Sequence, residues 1–169
     1  MNAIKKKKKH IKDCVNSHGA PENLMILDSR KGLGAEQMGT SSRAIFIDDG
    51  KILVVHRLKH GREYYVLPGG AIEKGETPEQ ACVREAKEET NFDIEIEKLL
   101  WEYTDPYNNI KTYFFLIKSF KGEMEFVGPE LDRKDEDDKY MLEWIELKNL
   151  NKILLYPEEI KERILKEFL

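Results

Sequence analysis

Cysteine is almost absent from this chain. Cys14 and Cys82 are its only two thiols, and they lie far apart. No disulfide framework can be read from them, so both are expected to be free thiols in a reducing compartment. Long apolar runs are missing too, and no stretch reaches the length of a membrane-spanning helix. The basic run Lys5–Lys9 has no apolar segment after it, so it does not read as a secretion signal. Cytoplasm is the expected location, with no membrane partner. An excess of positive charge is also lacking. Lys and Arg number 28 against 32 Asp and Glu, for a net charge of −4, so nothing global argues for nucleic acid. What the chain has in quantity is charge of both signs, 36% of its residues. Its 169 residues suffice for one domain with a real core.

The most informative stretch runs from Gly70 to Phe92, GAIEKGETPEQACVREAKEETNF. The preceding Pro68-Gly69-Gly70 can make a tight turn that exposes backbone. Thr77 is a good N-cap, Pro78 suits the first helical position, and Gln80 completes a capping box. Asn91 can adopt the left-handed conformation that ends a helix. The spacing therefore predicts a loop over 70–76, a helix over 78–90 and a stop at Asn91. With Ala81 as zero, Glu85 falls at about 40°, Glu89 at about 80° and Glu88 at about 340° around that helix. Ala81, Cys82, Val83 and Ala86 cover the adjoining arc and read as the packed face. Like charges this close repel by about 4 kcal/mol per pair at 4 Å near a protein surface. The cluster is either a solvated acidic face or a seat for a hard divalent cation such as Mg²⁺ or Mn²⁺. Arg84, on its flank, could pair with Glu88 or reach back to Glu76.

The order Gly70, five residues, Glu76, seven residues, Arg84-Glu85, Ala86, one residue, Glu88-Glu89, one residue, Asn91, Phe92 resembles the box of the Nudix (MutT-like) hydrolases. One position departs from it, Asn91 standing where glycine is usual. The resemblance implies an α/β/α sandwich and metal-dependent cleavage of a diphosphate linked to another moiety, assisted by Mg²⁺ or Mn²⁺. Carried over by position, it implies Glu85, Glu88 and Glu89 as metal-binding carboxylates and Gly70 as a backbone ligand. Glu76 and Arg84 would then fix the loop to the helix. The general base would be a box glutamate or a carboxylate of PELDRKDEDDKY, with Glu136 the choice from that loop. The alternative is a non-catalytic nucleotide- or RNA-binding module that keeps the fold.

Elsewhere the pattern is that of a mixed sheet with helices on both faces. RAIFIDDGKILVVHR reads as two strands joined at Asp49-Gly50. Strands are expected over 64–67, 93–101, 111–120, 123–127 and 143–147. Residues 150–154 read as a linker or short helix, and 157–169 as a terminal helix with Ile160, Ile164 and Phe168 on one face. Residues 1–40 form a basic extension, 41–169 the catalytic domain. The extension could hold a short strand over 24–27, cap a sheet edge or help build a homodimer. Arg57 and Arg62 are candidate phosphate contacts. Tyr65 and Tyr107 are candidate platforms for the base of a small nucleotide-type substrate. Outside the box the resemblance extends to the preceding strands, the PGG turn and the late EWIEL strand; Pro106 and Tyr107, residue types that mark Nudix subfamilies near this distance beyond the box, do not fit either spacing and identify none.

Overall fold

The computed structural model describes residues 39–59, 61–125 and 138–169. The Lys run, the 24–27 strand, His60 and Glu136 lie outside the described residues. In chain order the elements are β1 (Thr40–Ile45), β2 (Ile47–Asp48), β3 (Lys51–Lys59), β4 (Arg62–Val66), β5 (Gly69–Ala71) and α1 (Pro78–Thr90). Then follow β6 (Asp93–Thr104), β7 (Lys111–Lys121), β8 (Asp138–Glu146), a 3₁₀ segment (Leu147–Lys152), β9 (Leu155–Tyr156) and α2 (Glu158–Phe168).

Two mixed sheets result. One has the order β5-β1-β7-β6, with β1 and β7 parallel. The other has the order β2-β3-β4-β9, with β8 pairing along all of β3 and β9 parallel to β4. Strand alternation sends neighbouring side chains to opposite faces, and the two cores follow from it. Ile45, Ile52, Val54 and Phe114 pack with Ile160 and Ile164 of α2. Ala44, Phe46, Leu53 and Phe115 pack with Cys82 and Ala86 of α1. The helices therefore lie on opposite faces, giving the expected α/β/α sandwich.

The expected hairpin forms, with Ile47 opposite Ile52 and Asp48 opposite Lys51. Asp49 and Gly50 both take positive φ, 45° and 70°, as a two-residue type I′ turn requires. Other boundaries differ. The first strand is interrupted at Phe46, so that β1 joins one sheet and β2 the other. β6 runs on to Thr104, and β8 begins at Asp138 rather than Glu143. Residues 123–125 carry no strand, and the rest of that expected strand lies outside the described residues. β9 has no sequence signal of its own: two residues are too few for a period, and β4 supplies its partner. Among the described residues, no helix is long and apolar enough to cross a membrane.

Candidate active site

The helix expected over 78–90 forms with those bounds. Thr77 accepts the Gln80 N–H, and the Gln80 side chain accepts the Thr77 N–H, closing the capping box. Asn91 ends it at φ 62°. Ala81, Cys82 and Ala86 are buried as expected. Val83 is not, and this corrects the arc assigned to the packed face. At 43% exposure it faces outward, just past the edge of the buried arc that runs from Ala81 through Cys82 and Ala86 to Thr90. Burial pushes the Cys82 thiol up to about 12, so it stays protonated and inert.

Arg84 is the hub of the loop ahead of this helix. Its Nε and Nη2 donate to the two oxygens of Glu76 at 2.7 and 2.9 Å. Nη2 also donates to the Ala71 carbonyl at 3.0 Å, and Nη1 to Glu85 at 2.7 Å and Glu88 at 3.3 Å. Glu76 in turn accepts the Glu73 N–H at 2.9 Å. The fork of Arg84 and the Glu73 N–H hold the Glu76 carboxyl down at about 2. Both contacts considered for Arg84 thus form at once.

The carboxylates behind Arg84 meet the Gly69-Gly70 turn. Glu89 Oε2 accepts the Gly69 N–H at 2.7 Å. A Cβ added to Gly70 would sit 2.4–2.5 Å from the Glu85 carboxyl atoms, so a larger residue there would push that carboxylate aside. Burial raises the Glu85 pKa, against the opposing pull of Arg84. Glu88 is 53% exposed and shares the Arg84 Nη1 with Glu85. Among the described residues no three His, Cys, Asp or Glu are gathered as a metal-binding group. What converges on the turn is two carboxylates, whose oxygen donors suit a hard cation.

The four candidate substrate contacts are not gathered into one site. Arg57 is buried at 1% exposure, lying over the Tyr140 ring at 4.0 Å and donating to the Tyr140 hydroxyl. Tyr65, one pleat over from Arg57's cross-strand partner Tyr64, points to the opposite face. There it is buried and stacked on His56 at 4.4 Å. His56 bridges Glu143 at 2.7 Å and Glu63 at 2.9 Å. Arg62 is half-buried and Tyr107 lies exposed on the turn after β6. Strand alternation, invisible without the register, separates Arg57 from Tyr65.

One residue beside the site went unnoticed. Arg43, on β1, pairs in register with Gly69, and its Nη1 donates to the carbonyls of Leu67, at 3.1 Å, and Gly69. The available signal was a charged residue immediately before the apolar run Ala44–Ile47.

Residues 38–168 match the family model of the NUDIX domain. An ADP-ribose pyrophosphatase of Methanocaldococcus jannaschii is 34% identical over 66% of this chain. An 8-oxo-dGTP diphosphatase of Escherichia coli is 45% identical over 34% of it. The chain spans 64% and 46% of the lengths of those two relatives. Among solved structures, a MutT NUDIX hydrolase from Burkholderia pseudomallei superposes with TM-score 0.58 at 26% identity, covering 76% of this chain and 98% of its own.

Proposed function

The chain belongs to the Nudix family, and we propose that it is a metal-dependent hydrolase of a phosphoanhydride bond in a nucleoside diphosphate linked to another moiety. One observation carries this reading: Glu85 and Glu89 close on the Gly69-Gly70 turn, Glu89 accepting its N–H and Glu85 packed directly against Gly70. Mg²⁺ or Mn²⁺ would be held by Glu85, Glu89 and the Gly70 carbonyl. When bound, such a cation neutralises the diphosphate and polarises the bond to be cut.

The remaining work falls to the chain's own residues. The Gly69 N–H fixes the Glu89 carboxylate through Oε2. Arg84 and Glu76 lock the loop to the helix and keep Gly70 in place. Glu88, exposed and loosely paired, can swing to accept the proton of an attacking water, a role for which Glu136 is the alternative. Residues 41–169 are taken as the catalytic domain and 1–40 as an extension that could support a homodimer.

The substrate class follows the relatives' named activities, ADP-ribose ahead of 8-oxo-dGTP because the former relative covers more of this chain. A screen of ADP-ribose, nucleotide sugars, dinucleoside polyphosphates and nucleoside triphosphates tests it, with Mg²⁺ or Mn²⁺ and with chelator. Cation-dependent release of a nucleoside monophosphate is expected. No turnover on any of them favours the non-catalytic binding module.

A further inference from the structure

We infer that Arg43 is a positioning residue for this site: its guanidinium fixes the Leu67–Gly69 turn, and the turn fixes Glu89 and Gly70 for cation binding. The inference rests on the reading of Glu85 and Glu89 as cation ligands.

The chain of contacts is continuous. Arg43 Nη1 donates to the carbonyls of Leu67 and Gly69, which flank Pro68. The N–H of the same Gly69 donates to Glu89. Gly70 follows directly and faces the Glu85 carboxyl. The turn needs an anchor. Gly69 sits at φ 135°, and a Cβ there would fall 2.1 Å from the Ser42 carbonyl, so this backbone is pressed against β1 in a conformation that side chains rarely adopt. β5 pairs with β1 along its three residues, and the Ala44 N–H donates to the Pro68 carbonyl at 2.9 Å. The guanidinium adds directional bonds to the carbonyls on either side of that one, Leu67 and Gly69, so three successive carbonyls of the turn are held.

Two effects of Arg43 oppose each other, and their balance decides the sign of the test. As a charge, it sits within reach of Glu85 and Glu89 and would compete with a cation for them. As an anchor, it preorganises the ligands and favours the cation. Outer contacts that orient metal ligands change affinity by about 10- to 100-fold, and here the anchor is the larger effect because it acts on a carboxylate and a backbone ligand together.

The experiment is Mn²⁺ titration of the full-length protein, reading free Mn²⁺ by electron paramagnetic resonance alongside thermal melts. Arg43→Met is expected to bind Mn²⁺ about 10- to 100-fold more weakly than wild type. Arg43→Lys, whose ammonium has three donors for the two carbonyls, is expected to recover most of that loss. If Arg43→Met does not fold, Arg43→Gln carries the same comparison, since it is neutral and too short to bridge both carbonyls. Binding as tight as wild type or tighter in a folded neutral variant overturns the anchoring role and leaves only the charge. A wild-type protein that binds no Mn²⁺ overturns the reading beneath it instead.

Discussion

α1 and α2 cover opposite faces of the same strands, yet different forces hold them. α1 is capped at both ends, tied to the preceding loop by the Arg84 fork, and joined to the Gly69 turn through Glu89. Its buried side chains are small, Ala81, Cys82, Ala86 and Thr90. α2 has no side-chain cap and is held by Ile160 and Ile164, both fully buried. Hydrogen bonds fix direction, whereas apolar burial fixes only proximity. The helix that bears the proposed site is the one held by directional contacts, and the other closes the core.

The sharpest way to break this comparison is to cut α2. Ile164→Ala should cost about 2–5 kcal/mol in denaturant unfolding, with kcat per folded molecule unchanged. A matching loss of kcat would show that the α2 face also shapes the site. On α1 the effects are smaller in stability. Thr77→Ala removes the acceptor for the Gln80 N–H and should cost about 1 kcal/mol, seen as a lower denaturation midpoint. The loop ahead of α1 has an acid dependence of its own. Glu76 titrates at about 2 in the folded protein, below its ordinary 4.5. A depressed carboxylate stabilises the fold above its unfolded pKa, and that contribution is lost as pH falls from about 4.5 toward 2. Unfolding of wild type and Glu76→Gln should therefore converge across that window. A constant gap between them down to pH 2 would remove the ion pair from the account.

The same contrast explains what could be read in advance. The contacts that set the bounds of α1 are local: a cap three residues from its partner, a left-handed stop, a loop closed onto Arg84 eight residues on. Short-range chemistry of this kind is legible in a sequence, and the α1 bounds, the Asp49-Gly50 turn and the Ile160–Ile164 face were all legible. The break at Phe46, the short β9 and the burial of Arg57 depend on partners far along the chain. An arginine in a strand looks the same whether it ends in solvent, as a phosphate contact, or under a tyrosine ring. Arg43 was missed for that reason, because its partners are two carbonyls of a turn that only folding brings to β1.

The central claim is that the carboxylates closing on the Gly69 turn do the chemistry. The most direct test is steady-state hydrolysis by Glu89→Gln at saturating Mg²⁺, on whichever substrate the wild type turns over best. The account predicts a folded protein with unchanged melting behaviour and kcat lowered by about a hundredfold or more. Near-native kcat in that variant would contradict it.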